Sequence, residues 1–168
     1  IGRQSFMWNE KGVLYSIEAN EALYILQNKI YSFLFPDKLK EYFYKPKDFN
    51  QKSLQESNDL LVHLPTWKLD LIPSDSLDLI VCVQVLNEIN EKTLRYVIKQ
   101  FKRVAKKNCL LYVRDMEIGY SPGHNKRAAR LLLKEGFELI FKYNGLEHDI
   151  EGIPRLFVLS ERDNYNLL

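Results

Sequence analysis

The chain has 168 residues, of which 46% are hydrophobic and 27% charged, and this composition is typical of one globular domain. Its 24 Lys and Arg residues against 22 Asp and Glu leave a formal net charge of +2, too small to indicate a nucleic-acid partner. No segment approaches the ~20 consecutive apolar residues that a bilayer-crossing helix requires, so we expect no membrane span.

The first part of the chain predicts two strands with a helix between them. Residues 13–17 form an apolar run typical of a buried strand. Asn20 is a suitable N-cap for the helix that follows, and Pro36 ends it. The predicted apolar stripe of this helix consists of Leu23, Leu26, Ile30, Phe33 and Leu34. Residues 37–58 are either an insertion or a short strand with a loop, and residues 60–62 predict the next strand.

The middle of the chain predicts a strand, a helix and another strand. Residues 79–83 are almost continuously apolar, which favours a central parallel strand covered on both faces. Asn90 can cap a helix whose apolar stripe is Leu94, Val97, Ile98, Phe101 and Val104. Residues 109–113 predict a further buried strand. Cys82 and Cys109 lie inside these apolar runs, and we interpret them as buried reduced thiols of a cytoplasmic protein.

The last part predicts a helix over 126–135, with Gly136 as a left-handed C-cap. Strands over 137–143 and 153–160 follow with no helix between them, so they should pair antiparallel. The alternation of strands and helices predicts an α/β fold with a doubly wound, mainly parallel sheet, and a single domain over residues 1–168. Ligands of such sheets bind beyond the carboxyl ends of the strands.

Three stretches resemble the class I S-adenosylmethionine-dependent methyltransferases. Residues 15–20 resemble the family's second strand, which ends in an acidic residue. Residues 75–82 with 85–89 resemble its fourth strand and the following turn, and 136–139 resemble the start of its closing antiparallel hairpin. The resemblance implies a Rossmann-like sheet and S-adenosylmethionine as cofactor.

A narrower resemblance is to bacterial sugar O-methyltransferases. It rests on Ala22-Leu23-Tyr24 with Phe35-Pro36-Asp37, on Leu71-Ile72-Pro73, and on His148-Asp149 with Gly152-Ile153-Pro154-Arg155. It implies methylation of a hydroxyl on a sugar or glycan precursor, so the expected partner is a small-molecule or glycan substrate.

The sequence departs from the family in its glycine-rich turn. Gly2 could belong to the end of the family's first strand, but too few residues separate it from Val13 to hold the turn and a helix. Three alternatives remain: residues are omitted after about Arg3 or Phe6, the first unit lies upstream, or it is absent.

The resemblance assigns candidate cofactor residues to the ends of three strands. Glu18, followed by Ala19, would accept the ribose hydroxyls, although an acid at this position also favours the helix N-terminus. Pro65, Thr66 and Trp67 occupy the adenine position, where Trp67 would stack on the base or cap the core. Val83 and Gln84 would line the methionine side.

Methyl transfer to a hydroxyl needs a group that takes the proton, and Glu88, Asp115 and His124 are the candidate bases. Glu88 could instead cap the following helix, and His124 could be a surface loop residue. Arg114 and Arg155 are candidates for anionic substrate groups or for surface ion pairs. No Cys/His pair has the spacing of metal ligands, so we expect no metal site.

Two other functions remain open. The chain could be a methyltransferase-like binding or partner subunit without catalytic activity. It could also be a nicotinamide-dependent oxidoreductase, which the antiparallel final hairpin disfavours because dinucleotide folds are parallel there.

Overall fold

A computed structural model describes residues 8–44, 46–55, 58–86, 88–115, 127–142 and 153–159. The chain divides into two compact units, Ile1–Pro73 and Ser74–Leu168. Each unit is a small α/β structure with its own sheet. That both units form a single methyltransferase-like domain stays a prediction.

The first unit contains a three-stranded parallel sheet. Its elements are β1 (Leu14–Glu18), α1 (Glu21–Leu34), β2 (Leu39–Glu41), α2 (Gln51–Gln55) and β3 (Leu61–Pro65), with short 3-10 segments at Pro46–Asp48 and Thr66–Leu71. The strand order is β1-β3-β2, and β3 is buried along its whole length. Glu18 pairs with Pro65 in the parallel register, so the carboxyl ends of β1 and β3 lie side by side.

The helix α1 forms as predicted but presents a different face to the sheet. Asn20 is its N-cap, with a side-chain oxygen that accepts the N–H of Leu23 at 3.1 Å. The predicted apolar stripe is wrong, because Leu26 and Phe33 are 43% and 84% exposed. The buried residues are Tyr24, Gln27, Asn28 and Tyr31. Their polar atoms meet a buried histidine of β3, and this pairing decides which side of the helix faces inward.

The second unit contains a mixed four-stranded sheet. Its elements are β4 (Leu77–Val83), α3 (Glu91–Val104), β5 (Ala105–Asp115), α4 (Arg127–Lys134), β6 (Phe137–Lys142) and β7 (Ile153–Leu159). The strand order is β4-β5-β7-β6, in which β4 and β5 are parallel and β7 is antiparallel to both its neighbours. Across both units the predicted α/β class with mostly parallel strand pairing is confirmed, and the antiparallel pairing of β6 with β7 fits the predicted C-terminal hairpin in part. The single doubly wound sheet stays a prediction, because the strands form two separate sheets.

The helix α3 agrees with its prediction in detail. Asn90 caps it by accepting the N–H of Thr93 at 3.0 Å, and its buried residues are the predicted Leu94, Val97, Ile98, Phe101 and Val104. The prediction that β4 is covered on both faces is wrong. Ile80 and Cys82 are buried, whereas Leu79 and Val81 on the opposite face are 55% and 44% exposed.

Two further local predictions of the second unit, the glycine C-cap and the buried free thiols, are confirmed. Gly136, two residues after the end of α4, has φ +98°, the left-handed conformation in which glycine is favoured. Cys82 and Cys109 are buried and free, and burial raises the pKa of the Cys109 thiol to about 11. Within the described residues, no helix combines the length and apolarity that crossing a membrane requires.

Candidate functional site

A shallow hollow lies at the carboxyl ends of β1 and β3 in the first unit. It has a volume of about 220 Å³, below the roughly 300–1,000 Å³ of pockets that enclose a drug-sized molecule. The size suits one part of a larger ligand. Its lining residues come from the end of β1, the first turns of α1, the segment after β2 and the end of β3: Glu18, Ala19, Asn20, Glu21, Tyr24, Ile25, Phe43, Pro65 and Trp67.

The carboxylate of Glu18 is held in a fixed orientation at one side of this hollow. Its Oε1 accepts the backbone N–H groups of Ala19 and Asn20, at 2.8 and 2.9 Å. Its Oε2 accepts the side-chain amide of Gln27 at 3.0 Å. A carboxylate has about four acceptor positions, so these three bonds leave about one for an outside donor such as a hydroxyl.

Most of the other residues that line the hollow are apolar or aromatic. Ile25, Phe43 and Pro65 contribute side-chain surface, and Trp67 lines the hollow with 57% of its surface exposed. The alternative in which Trp67 caps the core is therefore wrong. An exposed indole and a neighbouring phenyl ring provide the flat surfaces on which a purine base can stack.

The structure brings together four of the predicted cofactor residues. Glu18, Ala19, Pro65 and Trp67 line the same hollow, whereas Thr66, although it lies between two of them in sequence, does not. Sequence reasoning did not assign the other five lining residues to the site: Asn20, Glu21, Tyr24, Ile25 and Phe43. A usable signal existed for Phe43, because it follows the short strand β2, whose carboxyl end lies at the same edge as Glu18.

The predicted residues of the second unit lie at the carboxyl ends of β4 and β5. Val83 pairs with Arg114 in the parallel register, and the N–H of Gln84 donates to the carbonyl of Arg114 at 2.7 Å. Gln84 has φ +54°, so the chain turns sharply as it leaves the strand. Asp115 is the last residue of β5. Their roles toward a cofactor or substrate stay predictions.

The remaining candidates have different outcomes. Glu88 is exposed in the turn before α3, and Asn90 supplies the N-cap, so the capping alternative for Glu88 is wrong. His124 and Gly2 lie outside the described residues. Arg155 is only 7% exposed within β7, which contradicts the surface ion pair suggested for it.

Beneath the hollow lies a buried polar cluster that sequence reasoning missed. His63 in β3 has no exposed surface, and its ring stacks on Tyr24 with ring centroids 3.9 Å apart. The Tyr24 hydroxyl donates to the carboxylate of Glu41 at 2.8 Å. Burial, and then this hydrogen bond, raise the pKa of Tyr24. Among the described residues no three His, Cys, Asp or Glu side chains group as metal ligands.

Comparison with solved structures identifies the fold. A SAM-dependent methyltransferase from Methanosarcina mazei superposes with a TM-score of 0.55 at 15% identity, covering 88% of this chain and 82% of that one. A TehB-like SAM-dependent methyltransferase from Corynebacterium glutamicum superposes with a TM-score of 0.52 at 14% identity, covering 94% and 85%. The 1,6-didemethyltoxoflavin-N1-methyltransferase of Burkholderia thailandensis, solved with S-adenosylhomocysteine, gives 0.52 at 9% identity, covering 89% and 72%.

At these identities the similarity establishes the fold alone. The chain has an α/β fold similar to that of these S-adenosylmethionine-dependent methyltransferases, with mostly parallel strand pairing and an antiparallel β6–β7 pair. No family model matches the sequence, and no curated protein matches it significantly.

Proposed function

We propose that this protein is an S-adenosylmethionine-dependent methyltransferase whose Glu18 hollow binds the adenosine part of the cofactor. The observation that carries the proposal is the Glu18 carboxylate, fixed at the end of a parallel strand and lining a hollow with aromatic walls. A ribose hydroxyl can donate to its remaining acceptor position, and the adenine base can stack against Trp67 or Phe43. The methyltransferase fold of the chain supports this assignment.

The residues that line the hollow fit the adenosine part of the cofactor, and the volume of the hollow leaves no room for the rest of it. Glu18 meets the polar sugar, while Ile25 and Pro65 exclude water from the base. That Val83, the last residue of β4, and Gln84 line the methionine side stays a prediction of the sequence resemblance. When bound, S-adenosylmethionine supplies an electrophilic methyl group on a sulfonium.

We further propose that the methyl acceptor is a hydroxyl of a sugar or glycan precursor. It rests on the sequence resemblance to sugar O-methyltransferases. The chain's own task is then to hold the hydroxyl in line and to take its proton, a role for which Glu88, Asp115 and His124 are the candidates. A general base of this kind contributes roughly 10²–10⁴-fold to a rate.

Calorimetric titration with S-adenosylhomocysteine tests the cofactor assignment. We expect micromolar binding by the wild-type protein and roughly 10–100-fold weaker binding by Glu18→Gln, because a hydrogen bond to a charged group is lost. Asp37→Asn is the matched control, since it removes an exposed carboxylate of the same unit and should leave the affinity unchanged.

Other outcomes separate the alternatives. Binding of S-adenosylhomocysteine without methyl transfer to any sugar acceptor would favour the non-catalytic binding module. Binding of a nicotinamide cofactor instead would favour the oxidoreductase, although the antiparallel pairing of β6 with β7 disfavours that alternative. Equal affinities of wild type and Glu18→Gln would refute the proposed role of the hollow.

A further inference from the structure

The face of α1 that covers the sheet is polar, which is unusual for a helix packed on a buried strand. Gln27 and Asn28 are each 5% exposed, and both lie against His63, which has no exposed surface. Buried polar groups are retained at a cost unless their hydrogen bonds are satisfied. The partners of these three side chains therefore indicate what the cluster does.

The direction of the hydrogen bonds follows from the carboxylate of Glu18. This carboxylate only accepts, so the side-chain amide of Gln27 must present its nitrogen to Glu18, and the Nε2–Oε2 distance is 3.0 Å. The oxygen of the same amide then faces Nε2 of His63 at 3.0 Å. Nε2 must carry a proton and donate it to Gln27.

The other ring nitrogen fixes the remaining amide. Burial lowers the pKa of His63 to about 4, although the carboxylate of Glu41 partly opposes this effect, so the ring is neutral at pH 7. Nδ1 is then an acceptor, and the nearest amide atom of Asn28 is 2.6 Å away. A half-turn of that amide directs its Nδ2 to the ring, which also satisfies an Nδ2 that otherwise has no partner among the described residues.

The result is one continuous chain of hydrogen bonds from Asn28 through His63 and Gln27 to Glu18. Stacking on Tyr24 and an edge contact with Tyr31, whose ring centroid lies 5.2 Å away, hold the imidazole in place. The hydrogen bonds of His63 to Asn28 and Gln27 are buried, and the last one, from Gln27 to Glu18, is partly buried. Glu18 in turn lines the hollow. Gln27 itself does not line the hollow.

We infer that Gln27, anchored by His63, is a positioning residue that aims the Glu18 carboxylate at the hydroxyls of the bound nucleoside. The inference rests on the proposed function. Gln27 has no contact with the ligand in this role; it fixes one carboxylate oxygen so that the remaining acceptor position points outward. A purely structural amide would stabilise the unit without affecting recognition of the ribose.

The test is a thermodynamic cycle between Gln27 and the ribose hydroxyls. The ligands are S-adenosylhomocysteine and its 2′,3′-dideoxy analogue, and the variants are Gln27→Met and the exposed control Lys29→Met on the same helix. We expect Gln27→Met to weaken S-adenosylhomocysteine binding about tenfold and the analogue less than about twofold. Lys29→Met should change neither affinity.

A second variant keeps the test decisive if Gln27→Met folds poorly. Gln27→Glu retains an acceptor for His63 but cannot donate to Glu18, and its carboxylate repels that of Glu18. We expect it to weaken S-adenosylhomocysteine binding at least as much as Gln27→Met does. Histidine ¹⁵N spectra of the wild type should show the Nε2–H tautomer of His63.

The outcomes separate this inference from the proposed function. Absence of S-adenosylhomocysteine binding by the wild type would defeat the proposed function itself. Wild-type binding that weakens in Glu18→Gln but not in either Gln27 variant would overturn the positioning role alone. If the Gln27 variants lose equal affinity for S-adenosylhomocysteine and for the dideoxy analogue, Gln27 has a structural role only. That result would also overturn the positioning role.

Discussion

Acidification should destabilise the protein through His63. The side chain is fully buried and neutral, and its pKa is lowered from 6.5 to about 4 by burial. In the unfolded chain the ring titrates near 6.5, so between pH 6.5 and 4 the unfolded state binds more protons than the native state. The free energy of unfolding therefore falls as the pH falls through this window.

The size of the effect follows from the two pKa values. Relative to pH 7, protonation of His63 in the unfolded state removes about 2 kcal/mol at pH 5 and about 3 kcal/mol at pH 4. That is a large part of the roughly 5–15 kcal/mol by which a domain is stable. Carboxylates also titrate in this range, so the His63 contribution must be measured as the difference between the wild type and a variant that lacks the histidine.

The His63 contribution can be isolated by comparing wild type with His63→Gln. Both are unfolded in urea at pH 7 and at pH 5, and circular dichroism monitors the unfolding. Glutamine keeps one donor and one acceptor for Gln27 and Asn28 but does not titrate. We expect the wild type to lose about 2 kcal/mol more than the variant over this interval. Equal losses, or a His63 ring resonance that titrates near its ordinary value, would refute the reasoning.

Three further predictions concern packing and helix ends, each measured as a change in the free energy of unfolding in urea. Leu94→Ala, at a site with no exposed surface, should cost about 2–5 kcal/mol, whereas Phe33→Ala, at 84% exposure, should cost less than about 0.5. Asn90→Ala should cost about 1 kcal/mol through loss of the helix cap, and the exposed Lys92→Ala should cost little. Gly136→Ala should cost about 1–2 kcal/mol because its φ is +98°, although a Cβ has space there.

The two long helices show where sequence patterns succeed and fail. In α3 the apolar residues occupy one side and charged residues the other, so the buried face follows directly from the spacing. In α1 aliphatic residues occur on several sides, and the buried face is chosen by Gln27 and Asn28, which meet His63. A requirement for buried hydrogen-bond partners leaves no periodic signal in the sequence.

The candidate site was partly predictable for a similar reason. Glu18 follows a strand, and the carboxyl end of a parallel strand is where ligands bind, so its position in sequence was informative. Phe43 lines the hollow from the segment after the short edge strand β2. Gln27 lies in α1 and donates to the Glu18 carboxylate. Their relation to Glu18 exists only after the chain has folded.

Chemical-shift mapping with S-adenosylhomocysteine tests the central claim most directly. We expect the largest changes at the backbone amides of Ala19 and Asn20, which donate to Glu18, and at the indole N–H of Trp67. The side-chain amide of Gln27 should shift with them. Saturable binding that leaves all four signals unchanged would contradict the account, because the ligand would then occupy a different part of the protein.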